Sequence, residues 1–182
     1  LAVGYKWQII KNYFGEKYND MEIIYSIEDN PLGTGGAIKQ AIGFIEGQDV
    51  YIFNGDTFFD INLIKLFEFH KDKNSVLCLA LKKIKNFDRY GTVKIDKDNK
   101  IIAFLEKKYK KEGLINAGVY LLNKEFFLSL ELPEKFSFEK DFLEKYYKLY
   151  PFYGLPFDSY FIDIGVPDDY EKAKRDFKKF EY

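Results

Sequence analysis

The sequence has very little cysteine and histidine, since Cys78 and His70 are the sole examples among its 182 residues. One cysteine excludes an intrachain disulfide and a cysteine-rich zinc site, and one histidine excludes a metal centre built on a histidine pair. Ser-His-Asp or Cys-His catalysis would have to pass through His70, which no matching motif accompanies. Any catalysis by this chain therefore relies on carboxylates, lysines, backbone amides or a hard metal ion. The shortage of cysteine fits a reducing, cytoplasmic compartment.

The chain also lacks a dominant charge and a long apolar run. Lys and Arg number 28 against 29 Asp and Glu, which leaves a net charge of −1, so we expect no nucleic acid partner and no membrane partner. No run of about 18 apolar residues is present to form a transmembrane helix. A composition that is 47% hydrophobic and 31% charged predicts one packed domain over residues 1–182. The oligomeric state is left open, a homo-oligomer included.

Hydrophobic periodicity predicts strands that alternate with helices. Strands are predicted at 1–5, 21–27, 50–53, 75–81, 115–122 and 160–164, and helices at 7–13, 35–45, 62–73, 124–130, 138–150 and 167–180. A hairpin is predicted at 92–104, because two β-prone runs flank the polar turn Asp96-Lys-Asp-Asn99. This order indicates an open α/β sheet with an antiparallel insertion.

A glycine-rich segment, Pro31-Leu-Gly-Thr-Gly-Gly-Ala37, lies between a predicted strand and a predicted helix. Its glycines would let the backbone approach a ligand, and the helix start offers unpaired N–H groups and a positive dipole. It lacks the Lys-Ser/Thr of a P-loop, and by itself it is more typical of a plain strand-to-helix turn. Glu28, just before it, could accept two parallel hydrogen bonds from the N1–H and amine of guanine. Alone, Glu28 is more typical of a solvated charge.

Two acids follow or end apolar strands, 107 positions apart. Asp56 comes after the predicted strand 50–53, at the carboxyl end where open α/β sheets bind ligands. Asp163 lies inside Phe161-Ile-Asp-Ile-Gly-Val-Pro167, directly before a turn and a Pro-started helix. An acid in such a place needs a partner or a metal, and Mg²⁺ binds through one or two carboxylates plus substrate phosphates. An Asx turn at the strand end is the alternative interpretation of Asp56.

Three further segments between these acids join polar groups to strands: Arg89-Tyr-Gly-Thr92, Phe104-Leu-Glu-Lys107 and Ile115-Asn-Ala-Gly-Val-Tyr120. Lys107 could pair with a phosphate, while Glu106 and Asn116 could bind hydroxyl groups. Each of them alone is more typical of ordinary surface.

In this order, the segments resemble the sugar-phosphate nucleotidylyltransferases, and within them the D-glycero-D-manno-heptose 1-phosphate guanylyltransferases of bacterial surface-polysaccharide pathways. The matching stretches span nearly the whole chain and are more specific together than singly. They are Tyr25-Ser-Ile-Glu28, Pro31-Leu-Gly-Thr-Gly-Gly-Ala37, Asn54-Gly-Asp-Thr-Phe-Phe-Asp60, Phe87-Asp-Arg-Tyr-Gly-Thr92, Gly113-Leu-Ile-Asn116, Gly118-Val-Tyr-Leu-Leu122 and Tyr160-Phe-Ile-Asp-Ile-Gly-Val-Pro-Asp168.

The resemblance implies a role for each matching residue. Asp56 and Asp163 would hold Mg²⁺ and, with Lys107, form the catalytic set. The nucleotide, GTP in preference to other NTPs, would contact Glu28, Leu32, Gly33, Thr34, Gly35 and Gly55. The sugar 1-phosphate would contact Gly91, Glu106, Lys107 and Asn116.

Element order and resemblance together predict a Rossmann-like three-layer α/β/α sandwich with a mixed, mostly parallel sheet. The implied reaction moves a nucleoside monophosphate, GMP in first place, from an NTP to a sugar 1-phosphate, heptose 1-phosphate in first place, and releases pyrophosphate. Mannose 1-phosphate or another hexose 1-phosphate is the alternative acceptor.

Two departures from the family pattern stand out. The chain has no Gly-rich strand-to-helix loop with an Arg and a following Lys, so it is expected to lack the first βα unit, roughly fifty residues, and without that unit it could lack activity. Lys108 occupies a position where many relatives have Pro.

A glycosyltransferase is disfavoured because Asp56-Thr-Phe-Phe-Asp60 is not an Asp-x-Asp motif. A non-catalytic nucleotide-sugar-binding domain remains an open alternative.

Overall fold

A computed structural model describes residues 1–180, which divide into two compact units. The first unit comprises residues 1–50 and 123–146, and the second comprises residues 51–122 and the chain from Tyr147 onward. Strands and helices alternate and the largest sheet is mixed, so the predicted α/β class is confirmed. The prediction of one domain over 1–182, whose last two residues lie outside the described range, stays a prediction.

The secondary structure follows the chain in this order: β1 (Ala2–Val3), α1 (Trp7–Phe14), β2 (Lys17–Tyr18), β3 (Met21–Glu22), β4 (Ser26–Ile27), α2 (Gly33–Ala41), β5 (Asp49–Phe53), β6 (Thr57–Phe59), α3 (Leu63–Asp72), β7 (Leu77–Phe87), β8 (Thr92–Ile95), β9 (Ile101–Leu105), β10 (Lys110–Asn123), α4 (Lys124–Ser129), α5 (Glu144–Tyr146), β11 (Phe152–Phe157), β12 (Phe161–Asp163) and α6 (Pro167–Asp176). Short 3₁₀ helices follow α2 and α6 at Ile42–Phe44 and Phe177–Lys179, and a π-helical turn, Phe138–Leu143, precedes α5.

The first unit places a strand directly before the glycine-rich segment. Strands β1 and β4 pair in parallel, with Val3 opposite Ile27, and the N–H of Glu28 donates to the carbonyl of Val3 at 2.9 Å. Helix α2 then begins at Gly33, two residues earlier than the sequence predicts. The predicted strand 21–27 is interrupted, since β3 pairs with β2 and only β4 joins β1.

The second unit contains the sheet that carries most of the remaining strands, in the order β11-β7-β10-β8-β9, with β5 also paired to β10. Strands β7 and β11 run parallel, whereas β10 is antiparallel to β7 and β8, and β8 is antiparallel to β9. The sheet is therefore mixed, as predicted. Strands β7 and β10 extend to 11 and 14 residues, beyond the ranges 75–81 and 115–122 that the sequence predicts.

Strand β11 was missing from the predicted elements because Gly154 and Pro156 interrupt its apolar pattern. It is an edge strand, where a proline costs no ladder hydrogen bond on the solvent side. A side chain at position 154 would place its Cβ only 2.4 Å from Leu81 of the neighbouring strand. The glycine is thus required by close packing against β7, and its effect on the sequence pattern hides the strand.

A two-stranded ladder of β6 and β12 holds the acidic segments. The strands are antiparallel, and their register pairs Phe161 with Phe59 and Asp163 with Thr57. Phe59 is buried and packs in the core cluster of this unit, together with Leu66, Cys78, Ala80, Ala117, Val119 and Leu121. Among residues 1–180, none of the helices combines the length and the apolar character that a bilayer crossing requires.

Candidate active site

The glycine-rich segment of the first unit is packed against a segment of the same unit, residues 134–136. The N–H of Gly35 donates to the carbonyl of Phe136 at 2.9 Å, and the N–H of Phe136 donates to the carbonyl of Leu32 at 3.0 Å. A Cβ at Gly36 would lie 2.3 Å from the Glu134 carbonyl oxygen. Gly35 and Gly36 are buried. Close packing therefore explains why glycine stands at these two positions. The sequence pattern alone does not distinguish this requirement from the close approach of a ligand.

Gly33 and Thr34 lie in the first turn of α2. Gly33 has a left-handed backbone, φ 73°, and a Cβ there would lie 2.6 Å from the Phe136 carbonyl oxygen. The Thr34 hydroxyl donates to Glu139 Oε2 at 2.8 Å and accepts from the N–H of Phe138 at 2.9 Å. The first N–H groups of a helix have no partner inside it, so this turn presents donors and positive dipole at its N-terminus.

Glu28 is partly buried at the end of β4 and uses only part of its acceptor capacity. Its Oε2 accepts from the N–H of Leu32 at 2.9 Å, which fixes the carboxylate against the start of α2. Glu28 lines a cavity of about 620 Å³ in the first unit, together with Gly4, Tyr5, Lys6, Trp7, Gln8, Asp29 and Pro31. A fixed carboxylate beside aromatic side chains can recognise a planar ligand that offers adjacent N–H donors.

In the second unit, the main chains of Asp56 and Asp163 are neighbours. The N–H of Ile164 donates to the Asp56 carbonyl at 2.9 Å, and Asp163 lies opposite Thr57 in the β6–β12 ladder. The Asp56 side chain is exposed and its Oδ1 accepts from the Thr57 hydroxyl at 3.2 Å. The two acids, separated by 107 positions in sequence, thus meet at one end of this ladder. Gly55, beside Asp56, is exposed in the same turn.

Asp163 is held by groups that the sequence did not identify as partners. Its Oδ1 accepts from the N–H of Gly165 at 2.8 Å, while its Oδ2 lies 3.7 Å from Arg89 Nη2. Arg89 Nη1 also donates to Asp169 Oδ2 at 2.5 Å. The motif Arg89-Tyr-Gly-Thr92 was visible in the sequence, but its pairing with acids about 80 positions away requires the tertiary fold.

The environment of this acid shifts two pKa values. The hydrogen bond to Asp169 raises the pKa of Arg89, and the charge of Asp163 acts in the same direction. Burial raises the pKa of Tyr90 to about 12, and a hydrogen bond and the charge of Asp163 contribute to the rise. Arg89 therefore stays a cation and Tyr90 stays a neutral donor across the physiological range.

Two carboxylates suit a particular class of metal site. Within residues 1–180, no group of three or more His, Cys, Asp or Glu side chains is arranged to hold a metal ion. Mg²⁺ is commonly bound by one or two carboxylates, with substrate phosphates and water completing its shell. Asp56 and Asp163 fit that set of ligands. Both offer carboxylate oxygens at the same end of the ladder, and both retain lone pairs beyond the hydrogen bonds described.

The expected sugar-phosphate residues lie on β10 and around the β8–β9 hairpin. Asn116 is tightly oriented: its Nδ2 donates to Tyr120 Oη at 2.8 Å and its Oδ1 accepts from the N–H of Gly118 at 3.2 Å. The Asn116–Tyr120 hydrogen bond is possible because β10 has a bulge between these two residues, where Gly118 has φ 72°. In a regular strand, side chains four residues apart would be about 13 Å apart.

Gly91 precedes β8, and a Cβ there would lie 2.8 Å from the Leu105 carbonyl oxygen. Glu106 and Lys107 follow β9 and are exposed. The structure thus gives Gly91 a packing reason and leaves Glu106 and Lys107 accessible to a ligand.

The histidine and the cysteine do not form a reactive pair. The Ser75 hydroxyl bridges His70 Nδ1 at 2.7 Å and Cys78 Sγ at 3.1 Å, and all three residues are buried. Burial raises the pKa of the Cys78 thiol to about 12, so almost no thiolate exists at neutral pH. The expectation that chemistry bypasses these two residues agrees with this environment.

Comparison with known proteins identifies the family. Residues 3–179 match the model of the family described as nucleotidyl transferase. The chain is 52% identical over 180 residues to the D-glycero-alpha-D-manno-heptose 1-phosphate guanylyltransferase of Aneurinibacillus thermoaerophilus, a match that covers 99% of this chain and 78% of the relative. It is 53% identical over 170 residues to the protein of the same name from Campylobacter jejuni, with 93% and 74% covered.

A solved structure gives the same answer for the fold. The crystal structure of HddC from Yersinia pseudotuberculosis complexed with GMP-PN aligns with a TM-score of 0.87 and 36% identity, covering 97% of this chain and 77% of that one.

Proposed function

The chain belongs to the nucleotidyl transferase family, and from this premise we propose that it is a sugar-1-phosphate guanylyltransferase. It transfers GMP from GTP to a sugar 1-phosphate, heptose 1-phosphate in first place, and yields a nucleotide sugar and pyrophosphate. The names of the two similar guanylyltransferases and the guanine nucleotide in the HddC crystal structure support this choice of donor and acceptor. The proposal includes a cytoplasmic location.

In the first unit, Glu28 recognises the base. Its carboxylate, already fixed by the Leu32 N–H at 2.9 Å, has lone pairs left for the N1–H and the amine of guanine. Uracil and adenine do not present that pair of adjacent donors, so the contact selects guanine. The amides of Gly33 and Thr34 at the start of α2 contribute donors and the positive end of the helix dipole.

In the second unit, Asp56 and Asp163 bind the divalent cation, Mg²⁺ in this proposal. When bound, Mg²⁺ withdraws charge from the α-phosphate and makes its phosphorus a better electrophile. Asp163 keeps one carboxylate oxygen on the Gly165 N–H, which holds it at the ladder end. Asp56 is exposed and is therefore open to phosphate ligands.

The acceptor side uses the residues around β10. Asn116, oriented by Tyr120 and Gly118, offers its remaining amide hydrogen to a sugar hydroxyl, as Glu106 offers its carboxylate oxygens. Lys107 attracts the acceptor phosphate. An oxygen of that phosphate attacks the α-phosphorus in line, a new phosphorus–oxygen bond forms, and the bond to the β-phosphate oxygen breaks to release pyrophosphate. No general base is needed, since the attacking oxygen is already deprotonated at pH 7.

The observation that carries the proposal is the β6–β12 pairing, which sets Asp163 opposite Thr57 and is extended by the hydrogen bond from the Ile164 N–H to the Asp56 carbonyl at 2.9 Å. The test is pyrophosphate release from GTP and heptose 1-phosphate in the presence of Mg²⁺. Asp56→Asn keeps the side-chain size and removes its charge, and we expect turnover to fall by about a hundredfold or more. The matched control is Asp98→Asn, an exposed acid in the β8–β9 turn, which should leave turnover unchanged.

Three results separate the alternatives. Release of pyrophosphate with mannose 1-phosphate and not with heptose 1-phosphate would retain the reaction class and replace the acceptor. Binding of GDP-mannose without any pyrophosphate release would favour a nucleotide-sugar-binding domain. Full turnover by Asp56→Asn would refute the cation assignment.

A further inference from the structure

Arg89 lies between two acids that come from different elements. Asp163 ends β12 and Asp169 lies in the first turn of α6. Arg89 Nη1 donates to Asp169 Oδ2 at 2.5 Å, and its Nη2 lies 3.7 Å from Asp163 Oδ2. The guanidinium also lies 5.5 Å from the centre of the Tyr90 ring. The single guanidinium group of Arg89 thus interacts with two carboxylates.

The two contacts differ in kind. The distance to Asp169 is that of a short charge-assisted hydrogen bond, whereas 3.7 Å to Asp163 exceeds hydrogen-bond length and leaves only charge attraction. Asp163 Oδ1 is occupied by the Gly165 N–H. Tyr90 also forms a hydrogen bond with this carboxylate. Oδ2 is the oxygen that faces Arg89, so a cation bound there would lie closest to the guanidinium charge.

From this arrangement we propose that Arg89 is a positioning residue for Asp163, which acts as its resident counter-charge and competes with the divalent cation for Asp163 Oδ2. Asp169 is the second anchor that keeps Arg89 partly withdrawn. The inference rests on the proposed function, since it assumes that Asp163 is a cation ligand. It adds that cation affinity is set by how Arg89 divides its contacts between two acids.

The competition predicts opposite effects of two substitutions. Arg89→Gln removes the competing charge, so the cation should bind more tightly, by about fivefold for a partly exposed ion pair. Asp169→Asn weakens the anchor, so Arg89 moves its charge toward Asp163 and the cation should bind more weakly, by about threefold. Arg89→Lys keeps the charge, so the affinity should stay within about twofold of the wild type.

A uniform change of the local field would also give opposite signs, because the substitutions remove charges of opposite sign. The double variant Arg89→Gln/Asp169→Asn distinguishes the two explanations. If Asp169 acts through Arg89, its substitution has no further effect once Arg89 is replaced, whereas independent field effects add.

The measurement is calorimetric binding of GTP without sugar phosphate, so that no turnover occurs. The ratio of the GTP Kd without Mg²⁺ to that with Mg²⁺ reports how strongly the protein couples the cation to the nucleotide. Lys83→Gln, which breaks an exposed pair with Glu112 of 2.9 Å in the same unit, is the control and should leave the ratio unchanged.

The inference is supported if Arg89→Gln raises the ratio, Asp169→Asn lowers it, and the double variant equals Arg89→Gln. An additive double variant, or a ratio that falls in both single variants, would overturn it while leaving the proposed function in place. A ratio near one in the wild-type protein would instead refute the cation role of Asp163, and the inference with it.

Discussion

The glycine-rich segment of the first unit and the acidic ladder of the second are built in different ways. The first depends on backbone and on the absence of side chains: Gly35 donates to Phe136, and Gly36 leaves room for the Glu134 carbonyl. The second depends on side chains, since Asp56 and Asp163 are brought together by strand pairing and then differ in what contacts their carboxylates. Both regions are identified by the same kind of short sequence motif.

The difference shows that the residues of a short motif can be required for folding, for ligand binding or for both. A glycine that packs against a neighbouring carbonyl is required before any ligand arrives. An exposed carboxylate in a turn adds little to stability and is available for binding. We therefore expect substitutions in the first region to act mainly on the free energy of unfolding and substitutions in the second mainly on turnover.

The largest effect on stability is expected for Gly36→Ala. Its new Cβ would lie 2.3 Å from the Glu134 carbonyl oxygen and 2.7 Å from the Leu32 Cβ, and neither is the far end of a flexible side chain. Such overpacking should cost about 2–3 kcal/mol and lower the Tm by about 5–10 °C. Thermal unfolding followed by circular dichroism measures the shift.

Gly55→Ala is the counterpart in the acidic region. A Cβ at Gly55 has nothing within 4 Å, so the Tm should change by less than about 2 °C. If Gly55→Ala unfolds as readily as Gly36→Ala, the distinction between the two regions is wrong.

Glu28→Gln examines the one side chain of the first region that has a binding role in our proposal. A glutamine retains one acceptor oxygen for the Leu32 N–H but loses the charge and one of two acceptors for guanine. The preference for GTP over UTP in kcat/KM should fall by about tenfold, the loss of about one charged hydrogen bond. Stability should change little.

Glu139→Gln provides the comparison for Glu28, because Glu139 is also an acid that accepts a hydrogen bond from the glycine-rich segment, at Thr34. It should leave the nucleotide preference unchanged. Equal use of GTP and UTP by the wild-type protein would remove guanine recognition from Glu28 altogether.

Sequence patterns predicted most of the elements because the apolar periodicity of α3, β5 and the β8–β9 hairpin is regular. They missed β11, where Gly154 and Pro156 break the pattern for reasons that lie in the neighbouring strand. They missed β6, whose three residues directly follow the turn at Asp56. Short strands paired with distant segments leave too little local signal.

The residues of the candidate site likewise divide into those that the sequence predicted and those that it missed. The types and spacing of Asp56 and Asp163 indicated a shared cation, and the β6–β12 register explains how they become neighbours. The groups that surround Asp163, namely Arg89, Tyr90 and Asp169, were not assigned a role. Their effect depends on distances between distant segments, and no local pattern encodes those distances.

A small gain in stability is expected at Thr92, the last residue of the Arg89-Tyr-Gly-Thr92 motif. Its hydroxyl is buried, and within the described residues the structure gives Thr92 Oγ1 no hydrogen-bond partner. A buried hydroxyl without a partner is unfavourable, so Thr92→Val, which keeps the shape, should raise the free energy of unfolding by about 1 kcal/mol. Urea denaturation measures this gain, with Thr57→Val as the control, because the Thr57 hydroxyl donates to Asp56 at 3.2 Å. A loss of stability in Thr92→Val would mean that the hydroxyl is satisfied in solution, and the acidic region would then share the tight internal fit of the glycine-rich one.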